Sequence, residues 1–98
     1  MKKILAKFNK LLENRIRLGL ISALVVNESL DYNDLKELLG VTDGNLASHL
    51  KVLEANDLIT VKKQFSGRKP RTTYTITEKG RTQFREHLDA LEELMKIK

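Results

Sequence analysis

Two groups of residues in this chain have the types and spacing to do chemistry, and in both it is the chemistry of binding. In "VTDGNLASHL" (41–50) and just beyond it, Leu46, Leu50 and Leu53 recur at helical spacing and point inward. The opposite face carries Gly44, Asn45 and Ser48, where a solvated helix ordinarily places Glu and Lys. Glycine inside a helix costs about 1 kcal/mol against alanine, so a small, uncharged, hydrogen-bonding face calls for a reason. Thr42 is a strong N-cap, Asp43 stands where the helix dipole favours an anion, and Val41 is placed to staple onto Leu46. His49 lies at one margin of this face and Lys51 on the other flank. The second group is a run of cations. Residues 62–77 hold Lys62, Lys63, Arg68, Lys69 and Arg71 with no acid among them, the footprint that polyanions leave.

Other chemistries are excluded by what is missing. The chain has no cysteine and two histidines far apart, so thiolate chemistry and a structural zinc site are ruled out. No nucleophile is paired with a base and no glycine loop could cradle a phosphate, so neither an enzyme nor a cofactor is expected. At 98 residues, 41% hydrophobic and 32% charged, the chain fits one globular domain with one modest core. The net charge of +5 is unevenly spread. Residues 1–17 carry six Lys/Arg against one Glu, whereas 18–61 carry two against seven acids. The start, "MKKILAKFNKLL", resembles a signal peptide, but Lys7 and Lys10 interrupt it, and no run is apolar enough to cross a bilayer. A cytoplasmic protein without a membrane partner is the expectation.

The elements that must position these groups follow from periodicity. Residues 2–13 read as an amphipathic helix with Ile4, Phe8, Leu11 and Leu12 on one side. Asn14 caps a second helix, Arg15 to about Val26, apolar nearly all round and therefore central, with Gly19 marking a close helix contact. A short extended piece near Leu30 precedes a third helix capped by Asp31 or Asn33 and ended at Gly40. The fourth helix runs from Thr42 to about Asn56. "LITVKKQF" and "RTTYTIT" read as strands joined at "SGRKP", with Phe65 and Tyr74 as anchors of the hairpin to the domain. Thr77 caps a last helix, Glu78 to about Ile97, in which His87 has no assigned role. The fold class is mainly α with a small β-hairpin: about five helices and a sheet of two or three strands.

Two helices joined by a glycine-containing turn, followed directly by a basic hairpin, form a recognisable pair. "TDGNLASHLKVLEANDLI" followed by "SGRKPRTTYTITEKGR" resembles the small single-domain winged helix-turn-helix transcription regulators of prokaryotes, near the MarR and ArsR types. The resemblance covers almost the whole chain, from "NRIRLGLISAL" through "TEKGR", with the helix-turn-helix at about 34–56 and the wing at about 58–77, and terminal helices at 2–13 and 78–97 complete the single domain. It implies that the fourth helix enters the major groove of double-stranded DNA, which explains a face free of long charged side chains. Asn45 would pair an adenine edge, Ser48 several bases, Gly44 would admit a phosphate, and Thr42, Asp43, His49 and Lys51 complete the candidates. The resemblance places Arg68, Lys69 and Arg71 in the minor groove, with Lys62 and Lys63 on phosphates.

Regulators of this kind act as two-fold dimers on inverted repeats, and the resemblance places dimerisation on the terminal helices. The surplus apolar residues there are Ile4, Leu5, Phe8, Leu11 and Leu12 with Phe84, Leu88, Leu91, Leu94, Met95 and Ile97. The rival reading is a winged-helix module for protein–protein contact within a larger assembly; an acid-free wing favours nucleic acid. No effector ligand is legible: the cysteine switch of many ArsR-type proteins is absent.

Overall fold

The computed structural model describes residues 1–96. Its elements are α1 (Lys2–Leu5), a 3-10 turn (Lys10–Glu13), α2 (Arg15–Val26), β1 (Ser29–Asp31), α3 (Tyr32–Leu39), α4 (Asp43–Ala55), β2 (Ile59–Ser66), β3 (Lys69–Ile76) and α5 (Glu78–Met95). The three strands form one antiparallel sheet in the order β1-β3-β2. This is the expected α+β winged-helix architecture, with the extended piece at Leu30 realised as the third strand.

Local chemistry sets most boundaries. The Asn14 carboxamide oxygen accepts from the Ile16 and Arg17 amides, both at 3.0 Å, and starts α2. Asp31 rather than Asn33 caps α3, in a reciprocal capping box with Asp34. Gly40 ends α3 in the left-handed conformation, φ 60° and ψ 40°. Thr77 accepts from the Gly80 amide at 3.0 Å and donates its hydroxyl proton to the Asp57 carbonyl at 2.6 Å, tying α5 to the turn after α4.

The core is built by α2 in the centre: Leu20, Ile21 and Leu24 are fully buried against Leu35, Leu46, Leu53, Leu58 and Ile59. A Cβ on Gly19 would come within 2.8 Å of Leu39 Cδ2, so the close helix contact lies between α2 and α3. Tyr74 belongs to this core, as expected of a hairpin anchor. Phe65 does not: it is 75% exposed near the hairpin tip and anchors nothing in the domain.

The N-terminal segment departs from the expected single helix over 2–13. Asn9 is extended (φ −86°, ψ 117°) and its side chain accepts from the Leu11 amide, starting the 3-10 turn. Its backbone N–H donates to His87 Nδ1 at 3.0 Å and its carboxamide to Gln83 Oε1 at 2.7 Å. Three bonds at one residue outweigh continuing a short helix, and they turn the chain onto α5. The Phe8 ring meets His87 edge to face at 5.4 Å. His87 is therefore a buried anchor, only 2% exposed, for the N-terminal segment.

This folding also corrects the apolar stripe. Leu12, expected at a dimer surface, is 1% exposed in the core of its own chain and is withdrawn from any outer contact. Leu11 and Phe84 are half-buried and pack against the same core. Leu5, Leu88 and Met95 remain exposed, with Ile4, Leu91 and Leu94 half-buried, along α1 and α5. Ile97 lies outside the described residues.

Candidate nucleic-acid interface

Helix α4 shows solvent the face that its residue types suggested. Thr42, Asp43, Gly44, Asn45, Ser48 and Lys51 are exposed, while Leu46, Leu50 and Leu53 hold the helix to the core. Thr42 Oγ1 accepts from the Asn45 amide at 3.3 Å and half-buried Val41 packs against the core, as cap and staple. A Cβ built on Gly44 meets nothing within 4 Å, and its backbone φ is not positive. Alanine would therefore fit, and nothing inside the fold explains the glycine. The open space lies outward.

Three side chains fix this helix from outside it. The Tyr32 hydroxyl donates to the Asp43 carbonyl at 3.1 Å and to its carboxylate at 3.3 Å, and Lys36 Nζ stands 3.1 Å from the same carboxylate. Both come from α3, so the angle between the two helices is held at the first residue of α4. Desolvation first, then the Asp43 charge and the bond to it, push the Tyr32 hydroxyl pKa up. The Asp43 carboxylate is thus engaged with α3 and partly neutralised by Lys36. The third is Arg17 on α2. Its Nε donates to the Leu11 carbonyl at 2.7 Å and its Nη1 to His49 Nδ1 at 3.0 Å. Arginine is always a donor, so this His49 nitrogen is the unprotonated one. Desolvation first, and the Arg17 charge second, lower the His49 pKa. Half-buried His49 therefore belongs to the joint between α4 and α2, with its ring Nδ1 turned away from the small polar face.

Tyr32, Lys36 and Arg17 were not expected at the site. The one sequence signal was Arg17, which with Arg15 puts two guanidiniums in the first turn of a helix that is otherwise apolar nearly all round.

The hairpin follows α4 directly, and β2 packs against that helix. Its strands join through Gly67 and Arg68, with Gly67 at φ 67° and Ser66 paired to Lys69. Pro70 lies within β3 rather than in the turn, opposite Phe65. The edge of β3 away from β2 is covered by β1 only at Thr73–Thr75, so a missing N–H at Pro70 leaves no ladder bond unmade on that side. Side-chain alternation divides the cations between two faces. Lys62, Lys69 and Arg71 share the outer face with Thr60 and Thr75; Lys63 and Phe65 share the other with Val61 and Tyr74. Among the described residues, Lys62, Lys63, Arg68 and Lys69 form no ion pair. Arg71 differs: its Nε lies 3.6 Å from the Asp31 carboxylate, tethering the hairpin to β1 from the third pair below its tip.

Among the described residues no group of His, Cys, Asp or Glu could hold a metal ion, and no helix is long and apolar enough to cross a membrane.

The same arrangement of helices and hairpin is found in known proteins. Residues 16–95 match the family model of the winged helix DNA-binding domain. An uncharacterized protein of Methanocaldococcus jannaschii is 34% identical over 87 residues, which is 89% of this chain and 95% of that one. Among solved structures, the transcriptional regulator homologue from Pyrococcus horikoshii OT3 is 32% identical, covers 96% of this chain and 91% of its own, and superposes with a TM-score of 0.85. A MarR-family protein of Porphyromonas gingivalis W83 shares the fold at 22% identity, with a TM-score of 0.70 over 89% of this chain and 84% of its own. The chain belongs to the winged helix DNA-binding domain family.

Proposed function

We propose that this protein is a transcription regulator that binds a specific double-stranded DNA sequence as a homodimer, with α4 in the major groove and the β2–β3 wing in the adjacent minor groove. The observation that carries the reading is Gly44: an exposed helical glycine that its own fold does not need, beside Asn45 and Ser48. Such a surface suits a close approach to base edges and phosphate, and the N-terminus of α4 adds unpaired amides. Thr42 and Lys51 flank it as phosphate contacts, whereas Asp43 and His49 position the helix. On the wing, Arg68 and Lys69 enter the minor groove, Lys62 and Lys63 take phosphates, and Arg71 ties the wing to β1.

The dimer reading rests on shape and surface. The molecule measures 57 × 25 × 21 Å and exposes 6933 Å². A compact monomer of 11.2 kDa exposes about 5,700 Å², so the molecule is extended, with both the projecting hairpin and the α1–α5 arm leaving surface uncovered. Leu5, Leu88 and Met95, with Ile4, Leu91 and Leu94, supply the arm's apolar part. A two-fold pairing on this arm would present two wings to an inverted repeat with half-sites about 34–36 Å apart.

The test is selection of binding sequences from a random duplex library with the purified protein, paired with sedimentation at the same concentration. The expected result is an inverted repeat bound by a dimer. A single asymmetric site bound by a monomer would remove the dimer and leave the DNA reading. Recovery of no sequence above background, with capture of a protein partner instead, would favour an interaction module.

A further inference from the structure

Solvation does not account for Phe65. It is 75% exposed, and of the large hydrophobic side chains exposed among the described residues it is the only one on the wing. It faces Pro70 across the hairpin, one pair inside the Ser66–Lys69 pair that closes the turn. Alternation puts both on the face that carries Ile59, Val61, Tyr74 and Ile76 nearer the body, where it is buried or half-buried. Between the two apolar zones stands the Lys63–Thr72 pair. The core-facing side of the sheet therefore becomes apolar again beyond the reach of the core, and there it is bordered by Lys63 on the same face and Arg68 in the turn, with no acid in the hairpin.

An apolar pair set among unpaired cations fits a surface whose negative charges alternate with apolar faces. The wall of a DNA minor groove is such a surface, because each deoxyribose lies between two phosphates. We propose that Phe65, backed by Pro70, packs on the deoxyribose wall of the minor groove that Arg68 enters, beside the phosphates that Lys63 neutralises. It supplies the part of the wing's affinity that salt does not screen. This rests on the DNA-binding reading above. The cations release counterions and give binding its salt slope; an apolar contact adds affinity and leaves that slope alone.

The two contributions separate in one experiment. The full-length protein, Phe65→Ala and Phe65→Leu are titrated onto the selected duplex over a range of KCl concentrations, and each complex is footprinted with hydroxyl radicals, which attack deoxyribose. Phe65→Ala is expected to bind about tenfold more weakly at every salt concentration, giving a parallel line of log K against log salt. Protection should vanish at the sugars under the wing and persist beneath α4. Phe65→Leu should keep most of both, and neither variant should lower Tm by more than about a degree or two, since beyond its cross-strand neighbour Pro70 the side chain takes no part in the core. Unchanged affinity and protection in Phe65→Ala would overturn the inference. So would a changed slope, a loss equal in the leucine variant, or a loss of self-association in place of DNA affinity. A wild-type protein that protects no duplex would overturn the DNA-binding reading beneath it as well.

Discussion

Helix α4 meets solvent with Gly44, Asn45 and Ser48 and is fixed to the body on both flanks, whereas the wing meets it with cations and is tied along one edge, by β1 and the Arg71–Asp31 pair. Tyr32 and Lys36 hold α4 at Asp43, and Arg17 holds it at His49. The hairpin has Arg71–Asp31 at 3.6 Å, while its other four cations form no ion pair among the described residues. The difference matches what each part is proposed to do. Reading base edges needs donors and acceptors held to within a fraction of an ångström, so the helix is locked from behind. Neutralising phosphates needs charge in reach and little more, so long side chains on a free hairpin suffice.

Substitutions that break this division should have unequal effects. The largest is expected at Ser48: leucine there blocks the approach of the helix and should reduce binding of the selected site about a thousandfold, to the level of unrelated duplexes, while circular dichroism is unchanged. Retained specificity would mean that α4 is turned another way. Next is the wing. Arg68→Ala with Lys69→Ala should weaken binding about ten- to a hundredfold at moderate salt and flatten log K against log salt by up to about two, with sequence preference largely kept. An unchanged slope would take the wing out of the complex.

Gly44→Ala sharpens the comparison because its two effects have opposite signs. Nothing lies within 4 Å of the added methyl, so the fold should gain up to about 1 kcal/mol, read from chemical denaturation. The same methyl sits where DNA must come closest, so affinity should fall about tenfold. A stabilised protein with full affinity would show that the glycine serves neither partner.

The smallest expected effect is pH dependence, and it belongs to the helical side. Burial lowers the His49 and His87 pKa values below the ordinary 6.5. The unfolded chain then takes up protons that the folded chain resists, so their contribution to stability is complete above about pH 6.5 and is lost as pH falls below it. Tm should decline from pH 7.5 towards pH 5.5, and His87→Gln should flatten that decline. A Tm that rises on acidification would contradict the neutral, accepting Nδ1 assigned to each ring.

How far the sequence carried depends on the range of the interaction. Caps and turns act within four residues: Asn14, Thr42, Gly40, Gly67 and Thr77 stand where their chemistry placed them. Strong periodicity likewise located α2, α4 and α5. The N-terminal segment failed because its apolar spacing satisfied a helix, while its backbone answered to His87 and Gln83, more than seventy residues away. Leu12 and Leu5 looked alike in one stripe; only the break at Asn9 sends the first into the core and leaves the second outside. Phe65 and Tyr74 were likewise indistinguishable as strand aromatics. The hairpin outruns the body it packs on, so Tyr74 is buried and Phe65 is not.

By itself, then, the sequence determined the helix-turn-helix and wing, the inward leucines of α4, the small polar face opposite them and the acid-free block of cations. All of these are settled by residue type and near-neighbour spacing. Only the tertiary structure decided that Asp43 and His49 are tied to Tyr32, Lys36 and Arg17, that Arg71 is tethered while Arg68 and Lys69 form no ion pair, and that His87 is an anchor. Each of these depends on where a distant side chain ends up, and a one-dimensional pattern contains no distance of that kind.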